Sequence, residues 1–162
     1  MKDAVDNGLF YGTDETAFTP HGDMSRGMLV AVLYRLAKEP ETSADNLFRD
    51  VADGTYYTEA IAWAAENKTV SGYGDRCFGP NDPITREQLA TILWRCAGSP
   101  ESVGDLAGFT DENRVSDWAA PALRWAVENK IVSGKGGGIL DPGGKATRAE
   151  VAAMLMRYCE TL

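Results

Sequence analysis

A single histidine, His21, and three cysteines, Cys77, Cys96 and Cys159, are too few for any common zinc-ligand pattern, and no two of the cysteines stand in a C-x-x-C pair. An odd and sparse cysteine count also excludes a disulfide-stapled scaffold. Cys96 and Cys159 fall near the ends of apolar helical stretches and are expected to act as small core hydrophobes. Positive charge is scarce: 16 Lys and Arg stand against 24 Asp and Glu, a net charge of −8. A surface of that sign repels DNA, RNA and anionic lipid, so nucleic acid and the membrane surface are excluded as partners. Nowhere do 18 apolar residues run consecutively, so no segment inserts across a membrane. The opening stretch MKDAVDNGLFYGTDE has no apolar core of a secretory signal. There is no G-x-S-x-G, no cysteine set with a histidine, and no acid in an obviously apolar setting. The sequence therefore assigns no catalytic residue, no metal and no cofactor.

What is abundant is apolar and repeated. Hydrophobic residues make up 44% of the 162, enough for the core of one domain or a few stacked units. The stretch WAAENKTVSGYGDRCFGPNDPITREQLATILWRCAG begins at Trp63 and returns at Trp125 as WAVENKIVSGKGGGILDPGGKATRAEVAAMLMRYCE. A third version, AVDNGLFYGTDETAFTPHGDMSRGMLVAVLYRLAK, opens the chain. Gly12, Gly72 and Gly134 are followed by Phe18, Phe78 or Leu140, then by Pro20, Pro80 or Pro142, then by Ser25-Arg26, Thr85-Arg86 or Thr147-Arg148. Such landmarks mark a repeat architecture, whose copies bury together a core that none could bury alone.

Each copy reads as helix, glycine-rich loop, helix. Leu29, Val32, Leu33 and Leu36 fall at i, i+3, i+4 and i+7, as do Leu89, Ile92, Leu93 and Cys96, and Val151, Met154, Leu155 and Tyr158. That stripe has the helical period and predicts second helices near 25–37, 85–97 and 147–159. First helices are expected over 58–67 and 119–129, with Asn67 and Asn129 as left-handed C-caps. The loop glycines are expected at positive φ. KEPETSADN and AGSPESVGD read as linkers between copies. Copy one lacks the counterpart of FRDVADGTYYTEAIA, so Met1 reads as a start placed inside a longer protein, a shortened capping copy being the alternative. The copies span 1–38, 47–97 and 108–160. The expected fold is all-α, three helix-loop-helix repeats stacked around a shared axis.

Thr85 with Gln88, and Thr147 with Glu150, have the spacing of capping boxes. A capping box explains those residues but not the arginine beside them. Arg26, Arg86 and Arg148 stand in a first helical turn, where the macrodipole favours acids. A guanidinium at a helix start suits a carboxylate or phosphate guest; an internal salt bridge to a neighbouring copy is the alternative. Arg35, Arg95 and Arg157 lie near helix ends, where a cation complements the dipole. Trp63 and Trp125 are expected in the core, and Trp94 stands alone in its helix. Tyr56 and Trp118 sit where a helix begins beside a loop, a position suited to stacking on a sugar ring. The loop Ser71-Gly72-Tyr73-Gly74-Asp75-Arg76 follows a helix, lacks the Lys-Ser/Thr of a phosphate loop and is no dinucleotide site. It lacks the acid ladder of a calcium loop as well.

The run Phe48-Arg49-Asp50-Val51, Tyr56, Ala60-Ile61-Ala62-Trp63, Val70-Ser71-Gly72-Tyr73-Gly74-Asp75, Phe78, Pro80 and Pro83-Ile84-Thr85-Arg86-Glu87 resembles the S-layer homology module. The likeness covers nearly the whole chain, as one truncated and two complete motifs. It implies an all-helical assembly with pseudo-threefold packing, exported and extracellular at the bacterial cell wall or S-layer. It further implies a monomer that anchors its protein non-covalently to a secondary cell-wall polysaccharide bearing pyruvate ketals. The family's Thr-Arg-Ala-Glu arginine carries over to Arg86 and Arg148, and to Arg26 within the divergent Ser-Arg-Gly-Met. The ligand-binding set expected here is these three arginines with Tyr56, Trp118, Gly72, Tyr73, Gly134, Asp50 and Asp111. Copy three has Lys135 in place of Tyr73 and Gly137 in place of Asp75, so the grooves are expected to be unequal. A structural or protein-interaction scaffold with decayed grooves is the rival reading.

Overall fold

The computed structural model describes residues 21–162. Gly12, Phe18 and Pro20, with the remnant first helix of copy one, lie outside the described residues. Five α-helices carry the described chain: α1 (Arg26–Leu36), α2 (Thr58–Glu66), α3 (Arg86–Cys96), α4 (Ala120–Glu128) and α5 (Arg148–Glu160), with one 3-10 turn at Glu112–Arg114. β-Pairing among the described residues is confined to isolated bridges, Ser25 with Pro83, Thr85 with Lys145 and Gly74 with Cys77. The chain is all-α, as the 3.6-residue period predicts.

The long helices begin where an oxygen-bearing cap precedes an apolar stripe. Ser25, Thr85 and Thr147 each accept a hydrogen bond from the backbone N–H three residues on. Only α3 completes the capping box, with the Gln88 side chain returning to the Thr85 amide at 3.1 Å. Copy three makes half of it: the Glu150 side chain goes to Arg86 instead. The nine-residue helices α2 and α4 have no side-chain cap and are marginal alone. Their ends differ from expectation in detail. Asn67 and Asn129 keep ordinary negative φ, and their Nδ2 groups donate to the Trp63 and Trp125 carbonyls. The left-handed residues are the next ones, Lys68 (φ 57°) and Lys130 (φ 59°).

The chain forms two compact units, Met1–Ile84 and Thr85–Leu162. The division falls inside copy two. In the first unit α1 packs on α2, and in the second α3 packs on α4. The packed pair is thus the second helix of one copy with the first helix of the next. Met24, Leu29, Val30, Leu33, Ile61, Phe78 and Ile84 are buried in the first unit; Leu89, Leu93, Leu123, Ile131, Leu140, Val151 and Leu155 are buried in the second. Removing these side chains from water is what stabilises helices too short to stand alone.

The two presumed linkers are fastened in the same way. The Tyr34 hydroxyl donates to the Pro40 carbonyl at 3.0 Å, and the Trp94 Nε1–H donates to the Pro100 carbonyl at 2.9 Å. Further along, Thr42 bonds Glu66 of α2 and Ser102 bonds Glu128 of α4. Trp94 is therefore not alone: Tyr34 is its equivalent. Trp125 is buried, against Tyr158 at 6.3 Å between ring centroids, whereas Trp63 is half-buried beside Tyr34. Cys96 and Cys159 are half-buried rather than in the core, and burial pushes the Cys159 thiol up.

Candidate functional site

Two equivalent sites form where the first turn of a second helix meets the glycine-rich loop of the following copy, one within each unit. In the first unit the Arg26 and Gly27 amides donate to the Asp82 and Pro80 carbonyls at 2.9 and 2.8 Å. In the second, the Arg86 and Glu87 amides donate to the Gly144 and Pro142 carbonyls, both at 2.9 Å. These are the orphan donors of a helix start. They would otherwise cradle an anion, and here loop carbonyls occupy them. The helix-terminus part of the sequence argument is thereby corrected, leaving the guanidinium as the cationic element.

The guanidinium enters the same loop. The Arg26 Nε–H donates to the Phe78 carbonyl at 3.0 Å, and the Arg86 Nε–H to the Leu140 carbonyl at 2.9 Å. Arg26, Arg86 and Arg148 are only 5, 6 and 5% exposed. Beyond this shared anchor the two sites diverge. Arg26 reaches the Ser71 carbonyl through Nη2, and its Cζ lies 4.7 Å from the Tyr73 ring centroid and 4.6 Å from that of Phe78. This is cation–π geometry. Arg86 instead pairs through Nη1 with Glu150 of the next copy at 2.6 Å. The inter-copy salt bridge weighed as an alternative from the sequence is thus present at Arg86.

Asp50 and Asp111 brace the loops from behind. The Asp50 carboxylate accepts the Phe78 and Gly79 amides at 2.8 Å each, and the Asp111 carboxylate accepts the Leu140 and Asp141 amides at 2.9 and 2.8 Å. Burial would raise the Asp50 carboxyl, but the two amides prevail and hold it below the usual aspartate range. For Asp111 the Leu140 amide leads in lowering it, against the effect of burial, with the Asp141 amide adding to it. Gly72 is required for close approach and not for its φ. A Cβ there would sit 2.4 Å from the Cys77 carbonyl oxygen and 2.8 Å from the Phe48 ring. Gly134 needs both: φ is 82°, and a Cβ would stand 2.8 Å from the Ile139 oxygen and from the Phe109 ring. Gly27 makes room for the Tyr57 ring and the Pro80 carbonyl.

The aromatics lie on the open side. Tyr56, Tyr73 and Trp118 are 61, 54 and 52% exposed. Tyr56 stands edge-on to Tyr57, which packs against Gly27 beside Arg26. In the second unit Glu87, buried, accepts the Ser116 amide and hydroxyl at 3.0 and 2.8 Å, which holds the chain two residues before Trp118. The structure therefore brings Tyr56, Gly72, Tyr73 and Asp50 into the neighbourhood of Arg26, and Asp111, Gly134 and Trp118 into that of Arg86. Glu87 and Glu150 were missed as partners. The place of Glu150 in the capping motif offered a local explanation that hid the long-range one. Among the described residues no group of three or more His, Cys, Asp or Glu is arranged to hold a metal.

The S-layer homology domain model matches residues 47–90 and 108–152, copies two and three. The surface-layer 125 kDa protein of Lysinibacillus sphaericus is 33% identical over all of this chain, which covers 14% of that protein. The exoglucanase XynX of Acetivibrio thermocellus is 31% identical over 92% of the chain and 14% of its own length. The amylopullulanase of Thermoanaerobacterium thermosulfurigenes is 32% identical over 92% of the chain and 8% of its own length. The chain thus spans a small fraction of each relative, and the names of the three share no activity. With two copies matched and the inter-copy arginine joints in place, the chain belongs to the S-layer homology domain family.

Proposed function

We propose that this chain holds a bacterial cell-surface protein to its wall, non-covalently and without chemistry of its own, by binding an anionic, pyruvate-bearing secondary cell-wall polysaccharide. The observation that carries the reading is the placement of the exposed Tyr73 ring over the buried Arg26 guanidinium in a protein of net charge −8. A flat apolar face binds a sugar ring while a cation beneath it attracts an acidic substituent. In the second unit a ligand carboxylate competes with Glu150 for Arg86. Three copies acting as a pseudo-threefold monomer supply several such contacts along one polymer, and avidity makes modest sites sufficient. Any catalytic activity belongs to other parts of the full protein, in keeping with relatives whose names span glucan hydrolysis and surface-layer formation.

The test is co-sedimentation with cell-wall sacculi, intact and after acid extraction of the secondary polysaccharide. The chain is expected to pellet with the first and stay in solution with the second, and binding should weaken with added salt. Equal recovery from both preparations would sink the reading. A second reading is favoured by the burial of the arginines: Arg26 and Arg86 are joints of a scaffold, and glycan contact falls to the aromatics alone. Replacing Tyr73 by Ala should then abolish binding more completely than removing the charge at Arg26, measured per folded molecule.

A further inference from the structure

The two loops differ by a coupled pair of residues. In the first unit Tyr73 lies against Gly79, whose φ is 71°; a Cβ on Gly79 would meet the Tyr73 ring at 2.5 Å. The aromatic can cover Arg26 because its neighbour has no side chain. In the second unit the corresponding residues are Lys135 and Asp141. The Asp141 side chain occupies the space that Gly79 leaves open, at φ 53°, and its carboxylate pairs with the Lys135 ammonium at 2.8 Å. Each pair excludes the other's arrangement: a tyrosine needs the glycine, and the aspartate holds a lysine. The Arg Nε anchor, the Asp50 or Asp111 brace and the helix amides on loop carbonyls are common to both units.

We propose that this pair sets what each site reads: Tyr73 with Gly79 stacks on the face of a sugar ring, and Lys135 with Asp141 engages an acidic substituent of the same polymer. The Tyr73 ring is more than half exposed and is backed by the Arg26 cation, which leaves its outer face open to a pyranose. The Lys135 side chain is 42% exposed in its ion pair. An exposed pair of this kind is weak, so a ligand carboxylate or phosphate can share the lysine. In that unit the buried Arg86 is already matched by Glu150, and Lys135 offers an accessible cation on the loop. The pair thus weights the two sites differently, towards the ring in the first and towards charge in the second. This inference rests on the wall-glycan reading.

The probe is a purified secondary cell-wall polysaccharide, native and after carbodiimide-borohydride reduction of its carboxylates, titrated into the full chain by calorimetry. Tyr73→Ala should weaken binding of both polymers by the same factor, about three- to tenfold, because stacking does not depend on the carboxylate. Lys135→Ala should lower the native-to-reduced affinity ratio about two- to fivefold. The double variant Lys135→Tyr with Asp141→Gly should raise affinity for the reduced polymer. If both single variants change the two affinities in the same proportion, or the double variant weakens binding of the reduced polymer, the division of labour is overturned while the wall-glycan reading stands. If the unaltered chain binds neither polymer, that reading fails and this one with it.

Discussion

At the start of α1 and the start of α3 the same arginine enters the same kind of loop and finds different company. Arg26 lies under an aromatic ring and donates to the Phe78 and Ser71 carbonyls, whereas Arg86 is tied to a carboxylate of the next copy. The shared part is the one that joins copies: an Nε–H on a loop carbonyl and two helix amides on two more. The variable part is the outer face. Repetition here keeps a mechanical joint constant while allowing the surface over it to change.

The strongest way to break the comparison is to remove each arginine in turn. Arg86→Ala removes the hydrogen bond to Leu140 and leaves Glu150 without its cation, so a loss of about 2–4 kcal/mol in stability is expected. Arg26→Ala, which removes the hydrogen bonds to Phe78 and Ser71 and the contact with the Tyr73 ring, should cost about 1–2 kcal/mol. Urea denaturation of the two variants side by side reads the difference, and an equal loss would show that the Glu150 pair adds nothing. Next in size is Gly72→Ala. Its Cβ meets a backbone oxygen that cannot swing away, and overpacking of this kind costs about 1–3 kcal/mol. A thermal melt unchanged by the substitution would mean that the loop is free to open there.

Glu150→Gln makes copy three resemble copy two. The amide can complete the capping box that Gln88 completes in α3, while the ion pair to Arg86 is lost, for a net loss of about 0.5–1.5 kcal/mol. Binding of an acidic glycan per folded molecule should increase at the same time. Lower stability with weaker binding would contradict the competition argued for that site. The two aspartate braces sharpen the comparison through pH. Both carboxyls are depressed in the folded state, so their stabilisation is present above the ordinary aspartate value of about 3.9 and is lost as pH falls through and below it. Asp50→Asn and Asp111→Asn should each flatten the acid side of a stability–pH curve. An unchanged acid limb would show that the loop amides do not depend on the charge. The smallest effect is expected of Tyr34→Phe, which removes one hydrogen bond to Pro40 and costs about 0.5–1.5 kcal/mol by chemical denaturation. A loss well beyond that would mean that the strap does more than close one loop.

The elements that could be read from the sequence are those whose cause is local. The stripe Leu89, Ile92 and Leu93 predicts α3, and Thr85 predicts its first residue, because both signals lie within one helix. Local reading misjudged what lies far along the chain. Glu150 stands in a capping position and serves a residue 64 positions away. The segments read as linkers between copies are each fastened by an aromatic at the end of the preceding helix. The stops at Asn67 and Asn129 were placed one residue early, since an Asn side chain can bond its own helix from an ordinary φ and pass the left-handed turn to the lysine. In the site, the sequence repeat picked out the three arginines, yet Arg26 and Arg86 are held by loops of another copy that no within-copy pattern reveals.

The offset between copies and packed pairs bears on how such a chain can be lengthened or shortened. A stretch of gene encoding 47–97 encodes α2 and α3, which belong to different packed pairs. Tandem duplication of that stretch makes a complete pair at each new junction, because every second helix again precedes a first helix. Deletion of an internal stretch also restores a pair across the scar. A single stretch expressed by itself carries two helices and neither partner. Arrays are therefore tolerant of gain and loss in whole steps, while the lone step is not a viable protein: the unit that is copied and the unit that folds are half a copy out of phase.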